Sequence, residues 1–203
     1  MIITKLDIPL IPPGSGVPRT AAADTGKLHL SDIAHYIEYK MKYGPKKQAN
    51  DWDLPWAGEV GFMWEDVLSL VMGERNSTRV GEIECEGIVG SPDGIGPDPL
   101  GIYPIVNVED KCTWRSSNKT PDMIWYWTCQ FKSYCYMLGV TVTILRALYL
   151  MGDYRGSGPQ ALHYRLEFTE QDLVENWAMI KAHEAEMKEK GFLDIKQVKG
   201  ENQ

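Results

Sequence analysis

The chain has 203 residues, of which 43% are hydrophobic, and a formal net charge of −7 at pH 7. This length and hydrophobic content suffice for one substantial buried core, so we expect a single domain. No apolar run approaches the length of a membrane span and no charged-then-apolar leader is present, which predicts a cytoplasmic protein with no membrane partner. The negative charge disfavours a protein that coats long stretches of nucleic acid, because such binding depends on neutralising phosphates.

Proline and glycine are frequent in residues 1–28, which we expect to form an extended arm. The domain is expected to cover 29–192 and to be followed by a polar tail at 193–203. A short helix is predicted from about Ser31, a suitable N-cap residue, to Lys42.

A loop is predicted over 44–57, where Trp52 and Trp56 would either stack on bases or, more commonly, pack in the core or a lid. Apolar residues then recur at helical spacing over 60–72 and predict an amphipathic helix that carries Glu65. A carboxylate on such a helix is usually a solvated surface group.

Two carboxylates and one ammonium are predicted to meet in a β-hairpin. Asp93 lies in a turn-rich segment, and Glu109 and Lys111 end a β-rich stretch. Alternation along a strand places Glu109 and Lys111 on the same face. The Glu-x-Lys triplet also occurs at Glu38 and Glu186 in helix-like stretches, so the triplet alone more often marks a surface ion pair.

These side-chain types suit a divalent metal and a phosphodiester substrate. Mg²⁺ binds few protein ligands and keeps several waters, so two carboxylates and one backbone carbonyl suffice. A bound metal activates the attacking water and neutralises the charge that develops during hydrolysis. Lys111 would orient or deprotonate that water, or stabilise the developing charge.

A helix is predicted over about 122–138 and is expected to end at Gly139. A spacing of four residues places the Gln130 amide and the Tyr134 hydroxyl on one face of this helix. The rest of the chain predicts a buried strand at 140–150, a second strand at 162–168, and a helix from a capping motif at Thr169 to about Lys190. A three-stranded meander is expected to carry the hairpin residues.

In this order, the motifs resemble those of the PD-(D/E)XK nuclease superfamily, in its RecB-like and phage exonuclease branch. The matched positions are Gly61 with Glu65, Gly90 with Asp93 and Ile95, Glu109 with Lys111, and Gln130 with Tyr134. The match covers about residues 55–150. The resemblance implies a restriction-endonuclease-like α/β fold, in which a mixed β-sheet is flanked by helices.

The resemblance also implies a role for each matched residue. Asp93 and Glu109 would bind Mg²⁺ or Mn²⁺ with the main-chain carbonyl of Asp110, and Glu65 would support this metal or a second one. Lys111 would be the catalytic lysine. Gln130 and Tyr134 would position DNA near the cleaved end. The Asp110 side chain departs from the usual apolar residue and is expected to point to the opposite face of the strand.

Basic residues cluster at 40–47 and again just after the Glu-x-Lys triplet. Such clusters usually form solvated surfaces. Arg115 and Lys119 are the better candidates for DNA contacts because they follow Lys111 directly.

The four cysteines, Cys85, Cys112, Cys129 and Cys135, lack the spacing of a disulfide framework or a Cys-x-x-Cys site. In the related CRISPR-associated exonucleases, one upstream and three C-terminal cysteines hold an iron–sulfur cluster, whereas all four cysteines here fall within the predicted core. We expect no iron–sulfur cluster, and buried, inert thiols.

The sequence therefore predicts a metal-dependent DNA exonuclease, encoded by a phage or prophage and acting in recombination or repair. One alternative is a structure-selective or end-trimming endonuclease with the same catalytic residues. The other is a catalytically silent DNA-binding or virion-assembly protein of the same fold. Linear DNA ends are the expected substrate. A single-strand annealing or recombination partner and a homo-oligomer both remain open.

Overall fold

The computed structural model describes residues 1–6, 15–16, 27–43, 63, 77–156 and 158–191. The strands in these ranges are β1 (Ile2–Leu6), β2 (Ser15–Gly16), β3 (Thr78–Arg79), β4 (Ile83–Cys85), β5 (Ile88–Gly90), β6 (Gly94–Gly96), β7 (Val106–Thr113), β8 (Val142–Tyr149) and β9 (Gln160–Glu167). The α-helices are α1 (Leu30–Tyr43), α2 (Trp125–Leu138) and α3 (Glu170–Glu189), and a 3₁₀ turn (Pro121–Met123) precedes α2. No helix in these ranges is long and apolar enough to cross a membrane.

The main sheet has the strand order β1-β9-β8-β7-β6-β3-β2 and is mixed. β7 and β8 are parallel, whereas β6 pairs with β7, β9 with β8, and β1 with β9 in antiparallel fashion. Parallel neighbours need a crossover connection, and α2 provides it between β7 and β8. The predicted fold class, an α/β mixed sheet flanked by helices, is confirmed.

Two features of the sheet differ from the sequence prediction. β4 and β5 pair only with each other and stay outside the main sheet, so the expected meander around the site consists of β3, β6 and β7, in which β6 is antiparallel to both neighbours and β3 contributes only two residues. The tight turn at Glu86 and Gly87, both at positive φ, closes β4 and β5 into a separate hairpin. β1 lies within the segment predicted as an arm and is hydrogen-bonded along β9, because its β-branched start, Ile2 to Thr4, suits an edge strand.

Two predicted helix boundary signals are confirmed, whereas Ser31 is not the N-cap of α1: this helix begins at Leu30, and the Asp32 and Ile33 N–H groups donate to the His29 carbonyl. Gly139 adopts the left-handed conformation, with φ of 68°, and its N–H donates to carbonyls in the last turn of α2. At the start of α3, Thr169 and Asp172 form a reciprocal capping box. The predicted amphipathic helix with Glu65 lies outside the described residues apart from Met63, and so do the loop with Trp52 and Trp56 and the tail at 193–203.

Side chains alternate between the two faces of the central strands. Leu145 and Ala147 of β8 pack with Phe131 of α2, so this face of the sheet is covered by α2. On the opposite face, Val142 and Ile144 of the same strand pack with Val106 and Val108 of β7. The two faces of β7 therefore meet different surroundings, and residues 107, 109 and 111 are directed toward α2.

Charged groups are buried on the face away from α2. Arg146 Nε and Nη2 donate to the two carboxylate oxygens of Asp110 at 2.6 and 2.7 Å. Arg165 donates in the same bidentate manner to Asp98, at 3.0 to 3.2 Å, and also to Glu167 at 2.7 Å. Paired arginine and carboxylate groups satisfy each other's hydrogen bonds, which is the condition for burying them.

His163 is buried on this same face, directly across the strand pair from Arg146, and is only 4% exposed. Within the described part of the chain, neither of its ring nitrogens has a hydrogen-bond partner. Burial, together with the nearby Arg146 guanidinium, lowers the pKa of His163 from 6.5 to about 4. The unfolded chain therefore binds more protons than the folded chain between these two values, and this residue lowers stability as the pH falls through that window.

We expect His163→Leu to reduce the loss of stability on acidification. The pKa difference corresponds to about 2–4 kcal/mol between neutral pH and a pH near 4, and this part of the loss disappears with the imidazole. The measurement is urea denaturation of both proteins across this range. The control is His183→Leu, which removes a histidine at a partly exposed position of α3. Equal pH dependence in wild type and His163→Leu would contradict this account.

Candidate active site

The β6–β7 hairpin brings Asp93 beside Glu109. Gly94 pairs with Val108, so Asp93, the residue before β6, reaches the level of Glu109 on the neighbouring strand. The Asp110 main-chain N–H donates to Asp93 Oδ2 at 2.9 Å, and the Asp93 N–H donates to Glu109 Oε1 at 3.4 Å. The convergence predicted from the sequence is thus present, and hydrogen bonds hold the two carboxylates in place.

Lys111 completes this cluster from the same strand. Its Nζ atom lies 2.8 Å from Glu109 Oε2 and 3.6 Å from Asp93 Oδ2. The Glu109 side chain is 1% exposed, so its charge is almost fully removed from water. Two carboxylates share one ammonium, and the three side chains together carry an excess of one negative charge when all are ionised.

The pKa values reflect this shortage of positive charge. Burial raises the pKa of Glu109 to about 8, because Lys111 offsets the lost solvation only in part and Asp93 adds a like charge. Burial alone would lower the pKa of Lys111, but Glu109 and Asp93 outweigh it and hold that pKa above its ordinary value. Lys111 is therefore an ammonium in this arrangement, and a further cation would stabilise the carboxylate form of Glu109.

A divalent cation fits this donor set. In a strand, the N–H and C=O of one residue point to the same side, and the Asp110 N–H points to Asp93, so the Asp110 carbonyl is directed toward the same region. Within the described ranges, no group of three or more His, Cys, Asp and Glu side chains forms a metal site. A magnesium-type ion needs no such group, since water and phosphate oxygens complete its coordination.

The predicted pair on α2 lies over the same cluster. Gln130 Nε2 donates to the Tyr134 hydroxyl at 3.2 Å, and both side chains are buried. Lys111 Nζ is 5.7 Å from the centroid of Phe131, the residue next to Gln130. Burial, and then the nearby Glu109 carboxylate, raise the pKa of Tyr134 well above its usual value, so the phenol stays protonated.

Gln130 has one unsatisfied atom. Its Oε1 is buried and has no hydrogen-bond partner among the described residues. A buried amide oxygen without a donor is costly, so it marks a place where a bound molecule can supply one.

Close packing explains the glycine of the matched motif at position 90. A Cβ atom on Gly90 would lie 2.9 Å from Met137 Sδ and 3.0 Å from Tyr134 Cε1. Both distances are shorter than ordinary contacts, so a side chain at position 90 would require the end of Met137 to move and the Tyr134 ring to shift slightly.

The Asp110 side chain points away from the cluster, as expected, and is held by Arg146. The pairing of Arg146 with Asp110 was not among the sequence predictions. The available signal was a single arginine within the apolar run of β8, but its partner becomes evident only from the β7–β8 register, in which Asp110 is paired with Arg146.

The other predicted site residues lie either in the segment after β7 or outside the described residues. Arg115 and Lys119 are exposed in the segment that follows β7. Glu65 and Gly61 lie outside the described residues, so their predicted roles stay predictions.

The cysteines differ in part from the expectation. Cys129 and Cys135 are buried, and burial raises the pKa of each thiol to about 12, which keeps them unreactive. Cys85 and Cys112 are only half-buried, so the expectation of four buried thiols is wrong for these two. They lie on short or terminal strand positions that the core does not fully cover.

The chain matches no protein-family model and no curated protein sequence. Solved structures with a similar chain path include two exonucleases. One is the alkaline exonuclease LHK-Exo from Laribacter hongkongensis, with 19% identity and a TM-score of 0.48, covering 87% of this chain and 96% of that one. The other is a phage-related exonuclease from Haemophilus somnus 129PT, with 12% identity and a TM-score of 0.45, covering 79% of this chain and 82% of that one.

Proposed function

We propose that this protein is a metal-dependent deoxyribonuclease that hydrolyses phosphodiester bonds, and that it acts as an exonuclease on linear DNA ends. One observation carries the proposal: Lys111 lies between the Asp93 and Glu109 carboxylates on a hairpin that faces Gln130 and Tyr134. A surface ion pair, the alternative reading of Glu-x-Lys, does not account for a glutamate that is almost fully buried.

A Mg²⁺ or Mn²⁺ ion held by Asp93, Glu109 and the Asp110 carbonyl would supply a water of lowered pKa and neutralise charge on the phosphate. The protein's own groups account for the rest. Asp93 is oriented by the Asp110 N–H, and Glu109 by the Lys111 ammonium. Lys111, within reach of both carboxylates, would orient the attacking water or donate a hydrogen bond to a phosphate oxygen.

The motif resemblance supports the narrower parts of this proposal. It supports exonuclease rather than endonuclease activity, a phage or prophage origin, and a role in recombination or repair. Intact Glu109 and Lys111 argue against the catalytically silent alternative, since a protein that only binds DNA needs neither a buried carboxylate pair nor an ammonium between them.

The test is cleavage of a linear 5′-phosphorylated duplex and of a covalently closed circle, each with Mg²⁺, with Mn²⁺ and with EDTA. Metal-dependent loss of the linear DNA alone is the expected result. Nicking of the circle would reassign the protein to the endonucleases. No cleavage of either substrate with either metal would contradict a nuclease.

Gln130→Ala is expected to lower the cleavage rate about 3- to 10-fold, the range expected for the loss of one neutral hydrogen bond to substrate or its water. The Mg²⁺ concentration that gives half-maximal rate should not change, because Gln130 makes no contact with Asp93 or Glu109 that the structure describes. The measurement is the initial rate as a function of Mg²⁺ concentration. Gln171→Ala is the matched control, since Gln171 is an exposed glutamine on α3 that pairs with Glu175. A shifted metal requirement in Gln130→Ala would contradict the assigned role.

A further inference from the structure

Two exposed aromatic side chains lie just beyond the ends of the neighbouring parallel strands β7 and β8. β7 carries Glu109 and Lys111. Trp114 is 57% exposed and directly follows β7, and Tyr154 is 59% exposed in the turn after β8. Trp114 is three residues beyond Lys111, which corresponds to about 10 Å along an extended strand. Large aromatic groups at such exposure contribute little to the core and are available to a partner.

The two segments that carry these rings are held together. The Tyr154 hydroxyl donates to the Trp114 carbonyl, and the Ser117 N–H donates to the Gly152 carbonyl at 2.8 Å. Tyr154 has a φ of 63°, in the left-handed region that favours glycine, so the backbone accepts an unfavourable conformation at the position of this ring. The two rings therefore belong to one continuous surface.

This surface is positively charged in a chain that is negative overall. Residues 113–120 and 150–156 contain three cations, Arg115, Lys119 and Arg155, and one carboxylate, Asp153, whereas the whole chain has a net charge of −7. All three cations are exposed. Exposed aromatic rings interleaved with cations are the arrangement that binds single strands, because the rings stack on bases while the cations neutralise phosphates.

We propose that Trp114 and Tyr154, flanked by Arg115, Lys119 and Arg155, form a base-stacking surface for an unpaired DNA strand that enters or leaves the cleavage site; this inference rests on the proposed nuclease function. The partner is single-stranded rather than duplex DNA, because the faces of paired bases are already stacked and closed to side chains. The surface would determine the path of the strand, while the Asp93, Glu109 and Lys111 cluster carries out cleavage.

The test measures the affinity of fluorescently labelled strands by anisotropy in the presence of Mg²⁺. The Lys111→Ala protein serves as the parent, because its cleavage is expected to be slow on the time scale of the binding measurement. The probes are an oligothymidylate, an abasic strand of equal length and charge, and a duplex. We expect Trp114→Ala and Tyr154→Ala to weaken oligothymidylate binding by at least about fivefold and to leave abasic binding unchanged. Arg115→Ala should weaken both strands, because its contribution is electrostatic.

Two further variants keep the test decisive. Trp114→Phe retains a ring and should recover most of the lost affinity, which a misfolded protein would not do. Val174→Ala removes an exposed apolar side chain on α3 and should bind all three probes as the parent does. Equal binding by the parent and Trp114→Ala, or equal losses on the thymidylate and abasic strands, would overturn the stacking surface. If the stacking surface fails this test but the wild type still cleaves DNA, the nuclease proposal stands. If the strands bind by stacking but the wild type cleaves no DNA, only the nuclease proposal is contradicted.

Discussion

Replacing Lys111 with alanine is expected to lower the rate of metal-dependent DNA cleavage by about 10²- to 10⁴-fold. The ammonium lies between the two carboxylates and is the cation of the cluster, so its removal takes away both a hydrogen-bond donor and a positive charge at the site of reaction. The measurement is the initial cleavage rate of a linear duplex with saturating Mg²⁺. Full activity in Lys111→Ala would contradict the proposed catalytic role of Lys111.

The same variant allows a measurement that does not depend on activity. Without Lys111, Asp93 and Glu109 have lost their neutralising partner, so a divalent cation should stabilise the variant more than it stabilises the wild type. Thermal unfolding with Mg²⁺ and with EDTA should therefore show a larger increase in Tm for Lys111→Ala. Lys181→Ala is the control, because Lys181 is a lysine of α3 that pairs with Glu184. Equal Mg²⁺ effects on all three proteins would argue against a metal at this site.

Replacing Arg146 with methionine is expected to destabilise the fold by about 3–5 kcal/mol. Arg146 and Asp110 are both almost fully buried, and the substitution leaves the Asp110 carboxylate without its bidentate partner. Chemical denaturation gives the free energy of unfolding directly. A loss below about 1 kcal/mol would show that the pair is not coupled in the way the contacts indicate.

The double substitution Asp110→Leu with Arg146→Met separates the roles of the side chain and the main chain of Asp110. Replacing both members of a buried pair by apolar groups is often close to neutral, so much of the lost stability should return. Only the main chain of Asp110 faces Asp93, so the double variant should keep metal-dependent cleavage. An inactive but stable double variant would show that the Asp110 carboxylate itself takes part in the site.

The central part of the molecule could be predicted because its signals are local. The hairpin residues Asp93, Glu109 and Lys111 are fixed by a turn-rich segment and by strand alternation, and Gly139 and the Thr169 motif mark helix ends within a few residues. Each signal acts over a short stretch of chain. Consequently, the elements from β6 to α3 follow the predicted order closely.

The features that the sequence did not predict depend on pairing between distant segments of the chain. β1 is five residues long and is stabilised by β9, about 160 positions away, so its own sequence does not distinguish it from an extended arm. The Asp110–Arg146 pair joins residues 36 positions apart and requires the β7–β8 register. The exposure of Cys85 and Cys112 is likewise a property of the packed molecule rather than of residue type.

The edge position of β1 has a practical consequence for handling the protein. Five residues of β1 cover one whole side of β9 from His163 to Glu167, where Tyr164 and Leu166 are buried. A chain shortened beyond Leu6 would present the backbone donors and acceptors of β9 to solvent, and an uncovered strand of this kind recruits strands from other molecules. Truncations or affinity tags that disturb β1 are therefore expected to promote aggregation of the purified protein.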